Sequence, residues 1–327
     1  MPSGEERIID LFRPMARHPA ALGLIDDCAA LTPEPGTDLV LKADAIVGTV
    51  HFFADDPADD VARKALRVNL SDLAAKGAKP IGFLLSLALP HDIAPAWLGE
   101  FARGLGGDAE AYDCPLLGGD TVSTPGPVMI SIAVLGSVPT GTMVRRDAAR
   151  AGDHVVVTGT IGDASLGLRL RQDATNAARW GLDPAQTQHL IGRYRRPQPR
   201  NVLAEAIHGH ARASMDVSDG LVGDLGKMCS ASGVAATIEA ARVPLSDAAR
   251  VALAADPTLI EPILTGGDDY EILATVAASQ LGPLQAAAAA AGVAVTAIGR
   301  IGDGPGVQVF DDDGKVLAFR QGSYSHF

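Results

Sequence analysis

The sequence is poor in cysteine and in aromatic residues. Its three cysteines, Cys28, Cys114 and Cys229, lie far apart and show no C-x-x-C spacing. An odd, scattered set of cysteines argues against a disulfide framework or a structural zinc site. Aromatic residues make up only 4% of the chain, so the core is expected to consist mainly of small aliphatic side chains. The cysteines are expected to be reduced thiols, as in a cytoplasmic protein.

The chain also lacks an excess of positive charge and any long hydrophobic run. Its net charge is −12, whereas proteins that bind nucleic acid present a basic face. No apolar run approaches the ~20 residues of a membrane-spanning helix, since the best candidate ends at Pro90. Acidic residues stand near the N-terminus, where an export signal carries basic ones. We therefore expect no nucleic-acid partner, no membrane partner and a cytoplasmic location.

Several motifs of nucleotide-binding and hydrolytic enzymes are absent. The sequence has no G-x-x-x-x-G-K-[ST] and hence no P-loop lysine. It has no protein-kinase motif set, no strand–G-x-G-x-x-G–helix fingerprint and no G-x-S-x-G nucleophile elbow. These absences exclude the common P-loop and protein-kinase phosphate sites, and they leave serine hydrolase chemistry without support.

What the sequence does contain is an alternation of strand-like and helix-like segments, which predicts a mixed α/β fold. At 327 residues the chain exceeds one ordinary hydrophobic core, so two domains are expected. A polar stretch at 139–153 marks the passage between them and gives expected domains at 1–140 and 141–327. Residues 193–201 (RYRRPQPRN) are expected to be a basic, proline-broken connection.

Aspartate is far more common than glutamate, with 30 residues against 9. Many of these aspartates are expected to be helix caps and turn formers. A subset stands at the edges of regular elements, in five separate segments: Asp26, Asp27, Asp44, Asp72, Asp120, Asp216 and Asp219. Magnesium prefers oxygen ligands and shares its shell with phosphate oxygens, so such aspartates could together hold several ions against a nucleotide phosphate. The alternative, that each is only a cap or turn residue, stays open at this point.

Two further features allow two interpretations each. The turn TGTIGDASLG, between a predicted strand and a predicted helix, either faces an anion with its backbone N–H groups or is an ordinary glycine turn. His51 stands among the aspartate segments, in VGTVHF. It is either a base or substrate contact or a histidine whose hydrogen bonds are satisfied by its neighbours.

The order of these motifs resembles that of the thiamine-monophosphate kinase family, within the aminoimidazole-ribonucleotide-synthetase-like superfamily. The resemblance covers essentially the whole chain and rests on GLIDDCAAL, LVLKADAIVGTVHF, NLSDLAAKGAKP, LLGGDT, TGTIGDASLGL, MDVSDGL, TGGDDYEIL and SYSHF. It implies a two-domain α/β fold in which the N-terminal sheet pairs across a homodimer. It also implies an N-terminal domain that binds ATP and magnesium.

The resemblance implies ATP-dependent conversion of thiamine monophosphate to thiamine diphosphate by direct in-line transfer, in which the metal ions assist and no side chain acts as a covalent catalyst. It assigns six magnesium ligands: Asp27, Asp44, Asp72, Asp120, Asp216 and Asp219. It assigns nucleotide contacts to Gly119, Asp120, Arg146 and Ser218, and thiamine contacts to His51, Asp268 and Tyr324. Without the resemblance, Arg146 would be interpreted as a linker arginine in solvent.

The sequence departs from the family pattern at the proposed site. Ile25 replaces a glycine of G-x-G-D-D, and Lys42-Ala43-Asp44 stands where S/T-T-D is common. Lys42 either contacts phosphate or points away. Asp268 is one methylene shorter than the usual glutamate. These departures leave open a protein that binds nucleotide or thiamine phosphate without turnover.

A second alternative keeps the ATP site but uses another acceptor. The superfamily members that do so, selenophosphate synthetase and the hydrogenase-maturation proteins, use a cysteine near the N-terminus or in the C-terminal tail. No cysteine precedes Cys28 here, and the sequence ends SYSHF. Selenophosphate synthetase and the hydrogenase-maturation proteins therefore fit this sequence poorly.

Overall fold

The computed structural model describes residues 4–320 and 322–323, which form two compact units. Unit 1 is Met1–Leu73 with Ala78–Met143, and unit 2 is Ala74–Gly77 with Val144–Phe327. Both contain helices and a β-sheet, which confirms the predicted two-domain α/β fold. No helix within the described part of the chain is long and apolar enough to cross a membrane.

Unit 1 is built around a four-stranded sheet. Its elements are α1 (Gly4–Phe12), β1 (Thr37–Val47), α2 (Ala58–Ala75), β2 (Lys79–Pro90), α3 (Pro95–Ala111), β3 (Leu116–Thr124) and β4 (Met129–Pro139). The strand order is β1-β4-β2-β3, with β1–β4 and β4–β2 antiparallel and β2–β3 parallel. This succession of strands and helices agrees with the alternation of strand-like and helix-like segments in the sequence.

Helix α2 covers one face of this sheet. It begins directly after Pro57 and carries Asp59 and Asp60 in its first turn, where negative charge favours the positive end of the helix dipole. Helix α3 starts at Pro95 and contributes the buried Phe101. Trp97 stacks on Phe101, with ring centroids 5.2 Å apart.

Unit 2 is built around a six-stranded sheet of order β10-β7-β9-β5-β8-β6. Its strands are β5 (His154–Thr158), β6 (Ala213–Asp216), β7 (Ala235–Glu239), β8 (Ile272–Val276), β9 (Val295–Gly302) and β10 (Gly306–Phe310). Its helices are α4 (Asp163–Gln172), α5 (Asn176–Arg179), α6 (Pro184–Arg195), α7 (Ala204–His210), α8 (Leu221–Ser232), α9 (Asp247–Ala255), α10 (Ile260–Thr265) and α11 (Ala278–Ala290). Among the strand pairs in the described residues of unit 2, only β10–β7 is parallel.

Alternate side chains of this sheet enter two different cores. Val155 and Val157 of β5 belong to one apolar cluster, which also contains Trp180. Val156 belongs to the other cluster, with Leu284 of α11. The sheet is therefore covered by helices on both faces, which agrees with the nearly continuous apolar sequence of its central strands.

One sequence expectation for unit 2 was only partly right. The stretch 193–201 was expected to be a connection, but α6 continues through its first three residues to Arg195. Pro197 ends the helix, because proline disfavours the helical conformation of the residue before it.

Candidate functional site

The first candidate site lies in unit 1, where β1 meets α2. Side chains alternate between the faces of a strand, so Lys42 and Asp44 lie on the same side of β1. Helix α2 places Asp72 on this side. Lys42 Nζ lies 3.0 Å from Asp44 Oδ1 and 2.9 Å from Asp72 Oδ2. Lys42 therefore does not point away: together the three residues form a cluster that we call the Lys42 site.

The Lys42 site is partly open to water. The side chains of Lys42, Asp44 and Asp72 are 33%, 37% and 20% exposed. Burial acts to lower the pKa of Lys42, but the negative charges of Asp72 and Asp44 outweigh it and raise the pKa above its ordinary value. The ammonium group thus stays protonated at neutral pH, and two carboxylates from different elements converge on one positive charge.

A buried asparagine fixes the geometry of this cluster. Strand β1 is at the edge of the sheet, and the Asp44 backbone N–H donates to Asn69 Oδ1 at 2.9 Å. Asn69 is fully buried, and its Nδ2 donates to the Ala65 carbonyl at 3.0 Å within α2. A hydrogen bond from an edge strand to a buried helix side chain holds Asp44 at a set distance from α2.

The carboxylates of the Lys42 site are chemically suited to a metal ion. Magnesium usually takes one or two carboxylates and completes its shell with water and phosphate oxygens. Asp44 and Asp72 already place one oxygen each around a cation, the Lys42 ammonium. Within the described residues, no three acidic, histidine or cysteine side chains converge as a metal site.

His51 lies in the turn that follows β1. Its Nδ1 accepts a hydrogen bond from the Val47 backbone N–H at 3.0 Å, so the neutral ring carries its proton on Nε2. The buried Lys64 donates to the His51 carbonyl at 3.0 Å. These bonds fix the ring and its tautomer, which gives His51 a structural role in the turn.

Asp120 lies on the other face of the sheet from the Lys42 site. Across the parallel β2–β3 pair Asp120 is the partner of Ser86, whose neighbour Leu85 is buried on the helix-covered face. Lys42 is the partner of Val134 on β4, which is also buried on the helix-covered face. Asp120 therefore occupies the open face, and one copy of unit 1 does not bring it together with Asp44 and Asp72.

Gly119 lies where two strands approach closely, and Asp27 lies in an exposed loop. A Cβ on Gly119 would overlap the carbonyl oxygen of Leu85, so glycine is required here by the close approach of β2 and β3. Asp27 is exposed in the loop that follows a short 3-10 segment, Pro19–Leu24. The structure leaves Asp27 at the surface of unit 1.

The second candidate site lies in unit 2, in the loop between β6 and α8. Asp216 is the last residue of β6 and is 4% exposed. The backbone N–H groups of Ser218 and Asp219 donate to Asp224 Oδ2, at 3.0 and 2.9 Å. Asp224 is fully buried in the first turn of α8. Its carboxylate holds the loop that carries one predicted magnesium ligand, Asp219, and one predicted nucleotide contact, Ser218.

Lys227 on α8 pairs with the same loop. Its Nζ donates to Asp219 Oδ2 and, at 2.8 Å, to Asp224 Oδ1. Burial raises the pKa of Asp224, although the Lys227 ammonium acts in the opposite direction. Asp219 is thus held by an ammonium, as the two carboxylates of the Lys42 site are.

The segment TGGDDYE meets this loop through its backbone. The Asp268 N–H donates to the Ser218 carbonyl at 2.9 Å, and the Tyr270 N–H donates to the Val217 carbonyl at 2.8 Å. Asp268 and Tyr270 have φ angles of 72° and 52°, which are uncommon for residues with a side chain. The Tyr270 hydroxyl donates to Asp268 Oδ1 at 3.3 Å. The structure therefore brings Ser218 and Asp268 together.

Asp269 faces inward and binds the glycine turn before α4. Its carboxylate accepts from the Gly162 N–H at 2.7 Å and from the Ala164 N–H at 3.2 Å. Asp269 is 1% exposed, and this burial raises its pKa well above the ordinary value. Two N–H groups of the turn TGTIGDASLG, those of Gly162 and Ala164, thus donate to a side chain of the protein itself.

Glu271 is the centre of a buried ion cluster beneath this segment. Its Oε2 accepts from Thr158 Oγ1 and from Arg200 Nε, each at 2.6 Å. Its Oε1 accepts from Arg193 Nη2 at 2.9 Å and from a second nitrogen of Arg200. The Glu271 side chain is 0% exposed, against 6% for Arg193 and 18% for Arg200. The basic stretch interpreted as a connection therefore supplies the partners of this carboxylate.

One other predicted site residue, Arg146, is less constrained. Arg146 is exposed in the loop before β5, and its carbonyl accepts from Ser232 Oγ at 3.1 Å. Tyr324 lies outside the described residues.

The sequence interpretation missed the residues that hold the second site: Asp224, Lys227, Asp269 and Glu271. One signal was available. Glu271 directly precedes the buried strand β8, and a charge in such a place needs a buried partner of opposite sign. The arginines of RYRRPQPRN were the candidates for that partner.

Two family models match the chain. Residues 25–138 match the AIR synthase related protein N-terminal domain, and residues 150–312 match the C-terminal domain of the same family. Together the two matches cover most of both units.

Several known proteins are similar to this chain along nearly its whole length. The thiamine-monophosphate kinase of Caulobacter vibrioides is 42% identical over 325 residues, covering 98% of this chain and 90% of the relative. A crystal structure of thiamine-monophosphate kinase from Stenotrophomonas maltophilia is 39% identical, with a TM-score of 0.84 and coverage of 95% and 96%. AaThiL, solved in complex with AMPPCP and TMP, is 32% identical, with a TM-score of 0.79 and coverage of 100% and 99%.

Proposed function

We propose that this chain, which belongs to the thiamine-monophosphate kinase family, transfers the γ-phosphoryl group of ATP to thiamine monophosphate and so forms thiamine diphosphate. The observation that carries this proposal is the similarity over the full chain to AaThiL, which binds AMPPCP, an analogue of ATP, together with TMP. The absence of the P-loop and protein-kinase motifs agrees with a kinase of a different fold. We further propose that the reaction takes place in the cytoplasm.

The six predicted aspartates are proposed to hold the magnesium ions of the reaction. The proposed ligands are Asp27, Asp44, Asp72, Asp120, Asp216 and Asp219. Bound magnesium supplies charge neutralisation and alignment of the phosphate groups, which is most of what phosphoryl transfer requires. The chain contributes rigidity: Asn69 fixes Asp44, and Asp224 fixes the loop of Asp219.

The remaining contacts are proposed on the same basis. Ser218, Gly119 and Arg146 would contact the nucleotide, and Arg146 can donate several hydrogen bonds to phosphate oxygens. His51, Asp268 and Tyr324 would contact thiamine monophosphate. Asp268 is supported for this role by its position beside Ser218, because acceptor and donor must lie close together for direct transfer.

We also propose that two copies pair through the open face of the unit 1 sheet. Leu41, Leu84, Val122 and Met129 lie on this face and are 69%, 41%, 51% and 40% exposed. A contiguous exposed apolar face on a sheet is typical of an interface. Asp120 lies on the same face, so pairing would place its carboxylate in the interface between the copies.

The kinase proposal is tested by incubating the purified protein with ATP, magnesium and thiamine monophosphate. We expect thiamine diphosphate and ADP in equal amounts. Folded protein that yields no thiamine diphosphate would refute the proposal. Magnesium-dependent ATP binding by calorimetry without product would instead favour a binding protein without turnover.

A matched pair of substitutions tests the site. Asp120→Asn removes one proposed ligand charge and should lower kcat/KM by at least about tenfold, since even supporting groups of metal sites cost about 10–100-fold. Asp92→Asn makes the same chemical change in an exposed loop after β2 and should leave kcat/KM unchanged. Equal activity of the two variants would remove Asp120 from the site.

A further inference from the structure

The Lys42 site contains a positive charge at the point where two proposed metal ligands meet. Lys42 and Asp44 are two residues apart on β1, and Asp72 comes from α2. The ammonium lies 3.0 Å from one carboxylate and 2.9 Å from the other. Both distances lie within the usual range of an N–H···O hydrogen bond.

The chain is built to hold the two carboxylates in this place. Asp44 is fixed by the hydrogen bond from its N–H to the buried Asn69, and Asn69 lies three residues before Asp72 on α2. Residues three apart on a helix lie on the same face, so Asn69 and Asp72 approach β1 together. Two carboxylates held near each other repel unless a cation lies between them. Lys42 supplies that cation.

A divalent ion and the Lys42 ammonium compete for this position. Magnesium binds carboxylate oxygens at 2.0–2.1 Å and needs nearly octahedral space around it. An ion bound between the same two oxygens would lie in contact with the ammonium, and like charges at that distance repel. Only one of the two cations can therefore occupy the space between Asp44 and Asp72 at a time.

We propose that Lys42 is a built-in cation, which fills one cation position between Asp44 and Asp72 so that the chain binds one divalent ion fewer at this site. This proposal rests on the proposed function for its view of Asp44 and Asp72 as metal ligands. In this role the Lys42 ammonium sets the number of divalent ions that accompany ATP.

The test is a count of bound Mn²⁺, which replaces magnesium and is detected directly. Free Mn²⁺ is measured by electron paramagnetic resonance during titration of the protein in the presence of AMPPCP, a non-transferable ATP analogue. Lys42→Ser removes the ammonium, and Lys42→Gln removes the charge while keeping a polar side chain of similar reach. We expect each variant to bind one Mn²⁺ more per chain than the unchanged protein. Lys79→Ser, a lysine exposed at the start of β2, is the matched control and should bind the same number as the unchanged protein.

A second readout separates metal binding from folding. Without Lys42 the two carboxylates lack their cation, so the melting temperature of Lys42→Gln should rise more with added Mn²⁺ than that of the unchanged protein or of Lys79→Ser. Equal Mn²⁺ counts for Lys42→Gln and the unchanged protein, with both folded, would overturn the proposal, since Lys42 would then move aside for the ion.

These results do not depend on turnover. A protein without kinase activity that still gains one Mn²⁺ on Lys42→Gln would refute the proposed function and support the role of Lys42. An active kinase whose Mn²⁺ count does not change would do the reverse.

Discussion

Replacement of Glu271 by glutamine should strongly destabilise unit 2. Glu271 is fully buried and is bound by Thr158, Arg193 and Arg200. Glutamine keeps the size of the side chain but removes its charge. Its NH₂ group would also face the hydrogen-bond donors that now bind the carboxylate. Both arginines would remain largely buried without the carboxylate.

The size of this effect follows from the burial of the cluster. Breaking a buried ion pair by removal of one partner costs about 3–5 kcal/mol. For a domain of about 150–250 residues each kcal/mol lowers the melting temperature by about 2–4 °C, which gives roughly 6–20 °C. Because Arg193 Nη2 also donates to the Asp269 carbonyl, the Asp268 segment should loosen and KM for the substrate should rise.

The measurement is urea unfolding followed by circular dichroism, together with a thermal melt. The matched control is Glu239→Gln, because Glu239 pairs with Arg242 at 2.9 Å with both side chains 58% exposed. An exposed pair contributes about 0–1 kcal/mol, so the control should change little. A loss below about 1 kcal/mol for Glu271→Gln would refute the view that this cluster holds unit 2 together.

Two further predictions concern the glycine turn and the helices around it. Hydrogen bonding to Asp163 raises the pKa of His189 in the folded protein. The interaction between the two side chains should therefore contribute its full stability below about pH 6.5, the usual pKa of histidine in an unfolded chain. This contribution should be lost as the pH rises through the folded pKa of His189. The difference in unfolding free energy between the protein and His189→Gln should thus be larger at pH 5.5 than at pH 8, and a difference that grows with pH would contradict this. Gly162→Ala should destabilise by about 2 kcal/mol or more, because φ is 89° and the new Cβ would lie 2.7 Å from Ile263 Cγ2. Gly192→Ala, inside α6 with open space around it, should stabilise by up to about 1 kcal/mol in the same urea experiment, and equal effects of the two changes would refute the argument.

Much of the fold could be predicted because apolar periodicity is a local signal. Alternating and continuous apolar runs indicated the alternation of strands and helices to which β1, α2, β2 and α3 belong. The end of α6 was missed because Arg193 and Arg195 are charged and close to Pro197, which is typical of a loop. Burial of Arg193 depends on Glu271, which is distant in sequence, and no local pattern reports such a pair.

The candidate site could be predicted only in part, for the same reason. Residue type and context identified Asp44 and Asp72, and the structure places them around one cation. The face of the sheet on which Asp120 lies depends on the register of β2 and β3, which the sequence does not reveal. In DDYE the sequence could not tell which acidic residue points outward and which ones, Asp269 and Glu271, point inward.

The positions of the two tryptophans have a practical consequence. The chain contains only two, and each unit holds one: Trp97, stacked on Phe101 in unit 1, and Trp180, 3% exposed in the core of unit 2. Indole emission shifts with the polarity around the ring, so each tryptophan acts as an intrinsic fluorescent reporter of its own unit. A protein with Trp97→Phe would show the unfolding of unit 2 alone, and one with Trp180→Phe that of unit 1. Intrinsic emission can thus reveal whether the two units unfold in one cooperative transition or in two.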